Sequence, residues 1–238
     1  MKLISIQMKT TTNFESNLKS LEKLIISCED NSIILAPELA LCGFAYENMQ
    51  EAANFSKIAL QRLLKLSQNK ILAFTTIIEK DGKFFNTFYL LYNEKIVHTQ
   101  SKVKLFKLGN EDRYFSSGNM KDIKIVDING LKIAVLICFE IRFPALWEKI
   151  KGADIILNPA MWGVKRKKHY EAITKSLALI NQVYVVASNS ANSNMAKSSA
   201  IISPFGDIVK DDRKMLIKCD FNKDEIAKVR KYINIGLS

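Results

Sequence analysis

The stretch K-I-A-V-L-I-C-F-E-I-R-F-P, residues 132–144, decides the fold class. A short, nearly continuous apolar run of this kind reads as a strand covered on both faces. Cys138 ends the run. A turn follows, and Pro144 suits the first position of a helix over 144–151. Downstream, the pattern predicts a strand over 154–157, a helix over 167–181 and a strand over 183–188. Upstream, Asn129-Gly130 marks a turn between this run and a strand predicted over 123–127.

The N-terminal half repeats the alternation. Residues 2–8 alternate apolar and polar. Residues 13–28 place Phe14, Leu18, Leu21, Leu24 and Ile25 at helical spacing, with Thr12 or Asn13 as N-cap. A strand over 32–35 stops at Pro37, and 51–68 reads as a helix. Strands over 71–78 and 84–92 flank the Asp81-Gly82 hairpin turn, and 95–99 adds another. Residues 100–121 show no period and read as a long loop, a length that is often functional. Two short strands flank the turn at 204–206, and 223–232 reads as a last helix. Strands and helices alternating at both ends predict an α/β layered protein. No linker, repeat or low-complexity stretch interrupts it, so one domain over 1–238 is expected.

Composition excludes several classes. The 238 residues are 48% hydrophobic and 25% charged, which argues against disorder. No apolar run approaches the ~18 residues of a membrane span, and the N-terminus lacks a signal-peptide core. A cytoplasmic location is expected. Nine glycines form neither a dinucleotide fingerprint nor a P-loop. Cys28, Cys42, Cys138 and Cys219 form no C-x-x-C pair, so they are read as reduced thiols rather than zinc ligands. Thirty-five basic against 24 acidic residues give +11. Apart from Lys165-Arg166-Lys167-Lys168 the charge is spread, and no recognition motif accompanies it, so nucleic-acid binding is not expected.

Three ionisable residues stand where apolar strands run out: Glu38, Lys102 and Cys138. Ligands of α/β sheets bind outside the carboxyl ends of strands. A thiol is a strong nucleophile once ionised, and an ammonium favours the thiolate. A carboxylate can take the thiol proton and return it to a leaving amine, while the ammonium holds an oxyanion. Each residue also has a plain reading, as a buried cysteine, a loop carboxylate and a solvated lysine.

The segments around them carry a resemblance. A-P-E-L-A-L-C-G-F (36–44) resembles the P-E-x-x-x-x-G-[FY] segment of the nitrilase, or carbon–nitrogen hydrolase, superfamily. S-K-V-K-L-F (101–106) is similar to its lysine segment Y-x-K-x-H-L-F, and V-L-I-C-F-E-I-R-F-P (135–144) to its nucleophile segment C-x-D-x-R-F-P. N-P-A-M-W (158–162), S-L-A-L-I-N-Q-V-Y-V (176–185) and S-A-I-I-S-P-F-G (199–206) resemble three supporting motifs in the family's order. The resemblance implies a four-layer α-β-β-α sandwich, a homodimer or larger homo-oligomer, and no metal or organic cofactor. It implies Glu38 as general base, Lys102 as oxyanion and thiolate stabiliser, and Cys138 as the nucleophile that forms a thioester. The Phe139 N–H becomes a second oxyanion donor, and Glu111 matches a second glutamate that orients lysine and substrate.

The departures bear on substrate choice. Gln100 and Lys104 replace a common tyrosine and histidine, and Glu140 replaces aspartate. Leu177 and Ile180 replace an arginine and a glutamate, as if a buried pair were exchanged for apolar packing. Ser190 stands where an arginine is common. Met161, beside Trp162, replaces asparagine and is expected to reshape the pocket. Arg142 is expected either to bind a substrate carboxylate or to pair with Glu140 or Glu148. His98 and His169 receive no catalytic role.

The reading that follows is a cysteine-dependent hydrolase of a small carboxylic acid amide, most like the ω-amidase branch. Within the family, an N-carbamoyl amidohydrolase or a nitrilase is the alternative, although true nitrilases resemble C-W-E where this chain has C-F-E. Outside it, the alternative is a non-catalytic basic protein binding a metabolite or nucleic acid.

Overall fold

The computed structural model describes residues 1–237. In chain order the strands and helices are β1 (Lys2–Ile6), α1 (Phe14–Ile26), β2 (Ser32–Leu35), α2 (Met49–Leu66), β3 (Lys70–Lys80), β4 (Lys83–Tyr92) and β5 (Lys95–Ser101). There follow α3 (Glu111–Tyr114), β6 (Val126–Ile128), β7 (Leu131–Val135), α4 (Pro144–Lys149), β8 (Ile155–Ala160) and α5 (Lys167–Asn181). The chain continues with β9 (Tyr184–Asn189), β10 (Ala200–Ile202), β11 (Ile208–Lys210), β12 (Leu216–Asp220) and α6 (Lys223–Tyr232).

The strands form two six-stranded mixed sheets, ordered β12-β1-β2-β3-β4-β5 and β11-β10-β9-β8-β7-β6. The period-2 alternation of strands builds the layers. In the first sheet, Leu3, Ile33, Leu35, Ile71 and Ala73 face inward, in one core with Ile133, Ile155, Leu157 and Val186 of the second. Their neighbours Ile4, Ile6, Ile34, Leu72 and Phe74 face outward and pack under Leu18, Leu21 and Ile25 of α1 and Leu63 of α2. On the outer side of the second sheet α4 and α5 contribute Leu146, Tyr170 and Leu177 to the buried core. The result is the α-β-β-α sandwich that the resemblance implies. Two serines stitch the sheets across the middle. Ser5 Oγ donates to the Ala187 carbonyl at 2.7 Å and Ser188 Oγ to the Ile6 carbonyl at 2.5 Å.

Most predicted elements form, with informative exceptions. The strand expected over 123–127 is instead Val126–Ile128, because it pairs only along the Asn129-Gly130 hairpin with Leu131–Ile133. The strand ending at Cys138 stops at Val135, and Cys138 begins a 3-10 turn, Cys138–Arg142. Residues 100–121 are not one loop: β5 runs to Ser101, and two short helical turns follow at Lys107–Gly109 and Glu111–Tyr114. β12 lies in a stretch assigned to no element by sequence; it closes the first sheet against β1 in antiparallel register, Lys2 opposite Asp220. Asn13 caps α1, its side chain accepting the Ser16 N–H at 2.8 Å. The exchange inferred at 177 and 180 holds only in part. Leu177 is fully buried, but Ile180 is 57% exposed on the far side of α5. Among the described residues, no helix is long and apolar enough to cross a membrane.

Candidate active site

One end of the sandwich collects the residues that the sequence singled out. The Ala36 N–H still pairs with the Ala73 carbonyl, extending β2 by one residue before Pro37 ends it. The Glu38 N–H then donates to the Ala160 carbonyl at the end of β8, so the loop is pinned across both sheets. Lys102 follows β5 directly, its N–H bonded to the Asn86 carbonyl of β4 at 2.8 Å. Its own carbonyl accepts the Gly118 N–H at 2.9 Å. Only glycine fits at 118, since a Cβ there would lie 2.1 Å from the Ser101 carbonyl oxygen. Cys138 has φ +48, a left-handed conformation that costs a non-glycine residue on the order of 1 kcal/mol. The turn around it supports this geometry.

Lys102 lies at the centre. Its Nζ donates to Glu38 Oε1 at 2.8 Å and to Glu111 Oε1 at 2.7 Å. Lys102 and Glu38 are fully buried, and Glu111 nearly so. Every remaining carboxylate oxygen is occupied. Asn86 Nδ2 donates to Glu38 Oε1 at 2.8 Å, the Met161 N–H to Glu38 Oε2 at 3.1 Å, and the Phe106 N–H to Glu111 Oε2 at 2.9 Å. Such saturation is what keeps buried charges tolerable.

The electrostatics set resting protonation states. Burial works against the Lys102 charge, but Glu38, Cys138 and Glu111 outweigh it and hold the ammonium above the ordinary lysine range. Burial, with the charge of Glu38, raises Glu111 against the pull of Lys102. Cys138 is pushed well above the ordinary thiol value by burial first and then by Glu38, and Lys102 offsets only part of this. The resting group is therefore a thiol, not a thiolate.

Glu140 ties two of the key segments together. Its fully buried carboxyl accepts the Val103 N–H at 2.7 Å and, longer, the Lys104 N–H at 3.4 Å on Oε1. Oε2 accepts the Ile137 N–H at 2.7 Å. One carboxyl thus spans the residue after Lys102 and the residue before Cys138. Burial raises it to about 7, although backbone N–H groups and Lys102 favour its charge.

A cavity of about 210 Å³ opens beside Cys138 and Glu111. Glu38 and Lys102 lie behind its wall. Its surface is mostly apolar, with Phe44, Tyr46, Phe106, Phe139 and Trp162 among its lining residues. Phe139 sits between Phe106 and Phe143, at centroid distances of 5.0 and 5.2 Å. Met161 and Trp162 are both on the wall. The Trp162 N–H donates to Asn189 Oδ1 at 2.8 Å. Arg142 also lines the cavity and pairs with neither Glu140 nor Glu148. Its guanidinium lies 4.9 Å from the Trp162 ring centroid, and Nη2 sits 3.1 Å from His169 Nδ1. So small a cavity suits a short acyl chain rather than a polymer.

Of the departures, Lys104 lays its ammonium over the Phe143 ring at 5.1 Å, and Ser190 Oγ bonds Asn192 Oδ1 at 2.8 Å. Gln100 Nε2 reaches the Val135 carbonyl in the other sheet at 3.4 Å. Sequence reasoning missed Asn86, Phe44, Tyr46, Phe106 and Arg166. Asn86 was visible as the polar break in the apolar K-F-F-N-T-F run, and Arg166 as a member of the basic run.

The Carbon-nitrogen hydrolase family model matches residues 2–230. The chain belongs to the carbon–nitrogen hydrolase family. This hydrolase is 29% identical over 216 residues to a 2-oxoglutaramate amidase of Bacillus subtilis, covering 85% of this chain and 83% of the relative. It is 26% identical over 200 residues to an omega-amidase of Escherichia coli, covering 82% and 77%. Among solved structures, a CN-hydrolase superfamily protein of Xanthomonas campestris superposes with TM-score 0.86 at 17% identity, covering 98% and 94%. A branch 10 nitrilase-superfamily protein of Saccharomyces cerevisiae gives 0.84 at 22%, covering 99% and 95%. The two structures bear on the fold alone, and both share the sandwich of this carbon–nitrogen hydrolase.

Proposed function

We propose that this hydrolase cleaves the terminal amide of a small carboxylic acid through a Cys138 thioester, releasing ammonia. The observation that carries the reading is the Lys102 ammonium, bonded at once to Glu38 and Glu111 behind the wall that presents Cys138. Glu38 takes the thiol proton as Sγ attacks the amide carbon. The Lys102 ammonium and the Phe139 N–H hold the oxyanion. As the C–N bond breaks, protonated Glu38 gives its proton to the leaving nitrogen. Glu38 then deprotonates a water that attacks the thioester, and the thiol is restored. Glu111 positions Lys102, to which it is bonded at 2.7 Å.

Arg142 takes a carboxylate at the other end of the acyl chain, and Phe139, Met161 and Trp162 enclose its carbons. The names of the relatives, 2-oxoglutaramate amidase and omega-amidase, point to the same substrate type. Residues 1–238 act as one unit in this reading. In support, β12 pairs with β1, and the site draws on residues from 38 to 195. The homodimer or larger assembly implied by the resemblance belongs to the proposal too, and light scattering on the purified protein tests it.

The test of the activity is ammonia release from a panel of primary amides, with alkylation of Cys138 by iodoacetamide located by mass spectrometry. Expected are release by the native protein, none by Cys138→Ala, and Cys138 alkylation that slows in Glu38→Ala and Lys102→Ala. Folded protein that releases no ammonia, or alkylates Cys138 no faster than Cys28, Cys42 or Cys219, overturns the reading.

A further inference from the structure

The basic run Lys165–Lys168 separates into different fates. Lys165 and Lys168 face solvent, and Lys167 pairs with Asp212. Arg166 instead turns to the active-site cavity and forms part of its wall. Its guanidinium carbon lies 5.1 Å from the Phe106 ring centroid. Its carbonyl accepts the Trp162 Nε1–H at 3.0 Å, which fixes the base of the side chain. Gly163 borders it: a Cβ at 163 would lie 3.4 Å from Arg166 Nη2.

The cavity therefore carries two guanidiniums, Arg142 over Trp162 and Arg166 over Phe106. Among the described residues neither has a carboxylate within 4.0 Å, whereas Arg62, on α2, has two. Glu111, the carboxylate on the cavity wall, is taken by Lys102. Two planar cations on aromatic faces, lacking a protein anion, suit a carboxylate brought by the ligand.

We propose that Arg166 is a specificity-determining residue that acts with Arg142 on the far carboxylate of a short dicarboxylic acid monoamide. The inference rests on the amidase reading above and assigns Arg166 a contact within it. An acyl chain without that carboxylate meets the same Cys138 but gains nothing from Arg166. The residue thus acts on substrate choice and not on the bond-breaking step.

The test compares the native protein with Arg166→Gln and Gly163→Ala on succinamate and on butyramide, its uncharged counterpart. A second readout is the glutarate concentration that half-protects Cys138 from iodoacetamide. For Arg166→Gln, kcat/KM on succinamate falls about 10- to 100-fold, mainly through KM, as expected for loss of a charge-assisted contact. On butyramide the fall is at least about fivefold smaller than on succinamate, and the half-protecting glutarate concentration rises by a factor similar to that for succinamate. Gly163→Ala, whose φ of −69° any residue adopts, shifts both readouts the same way by less. Equal losses on both amides, no loss on succinamate, or glutarate protection that is absent or unchanged overturns the proposal. Should the native protein release ammonia from no amide of the wider panel, the amidase reading fails. Protection by glutarate then still decides whether Arg166 binds a carboxylate.

Discussion

Replacing Glu140 by glutamine tests how the nucleophile turn and the lysine loop are held together. The shapes match, but one carboxyl oxygen becomes an NH2. Glu140 Oε1 serves Val103 and Lys104, and Oε2 serves Ile137. Whichever way the amide is placed, at least one backbone N–H loses its acceptor and faces a second donor. Two unsatisfied buried donors cost about 1–3 kcal/mol each. Against this, glutamine removes a buried charge. The carboxyl is raised from 4.5 to about 7, and each pH unit is worth about 1.4 kcal/mol, so ionising it costs the folded protein about 3 kcal/mol.

The sign follows from linkage. Between pH 4.5 and 7 the folded chain keeps a proton on Glu140 that the unfolded chain has lost. The stability of the native protein therefore falls as pH rises through that window, by about 3 kcal/mol from this group. Below 4.5 both states hold the proton, and above 7 both have lost it. Urea unfolding of both proteins from pH 4.5 to 8 isolates this group. Glu140→Gln should be the less stable protein at pH 4.5 to 5, and the gap should close by about 3 kcal/mol at pH 8. Amide hydrolysis should rise through an apparent pKa near 7 as the carboxylate forms and fixes both loops, and the variant should lose that limb along with at least tenfold in kcat. Parallel unfolding curves, or a variant with native kcat and the same acid limb, would refute the reasoning.

Lys102→Met leaves Glu38 and Glu111 buried without their shared cation; it should abolish hydrolysis and cost about 3–5 kcal/mol in urea unfolding, with part of the loss recovered at low pH as Glu111 takes up a proton. Asn86→Leu removes the donor to Glu38 Oε1 and should lower kcat about tenfold with KM little changed, as seen by steady-state ammonia release. Asn13→Ala removes the α1 cap far from the site and should cost about 1 kcal/mol in thermal unfolding with kcat unaltered.

The layers were legible from residues 132–144 outward because strands covered on both faces leave a continuous apolar record, and β2, β8 and β9 do so. β12 was not, because only Ile217 of its L-I-K-C-D is buried and its pairing with β1 is a contact across more than 200 residues. The 100–121 segment hid its two helical turns for another reason. They have no apolar face of their own; Phe106 N–H bonds Glu111, and Tyr46 Oη bonds the Gly109 carbonyl, so tertiary contacts define them. The same logic divides the site. Glu38, Lys102 and Cys138 stood where apolar strands run out, and the two sheets bring those ends together at one end of the sandwich. Which cation faces the ligand depends on loop geometry: Arg166 and Lys167 are neighbours in sequence, yet one lies over Phe106 in the cavity and the other pairs with Asp212. Chemistry fixed to strand ends is readable in one dimension, whereas selectivity carried by the loops between them becomes readable only once those loops are placed.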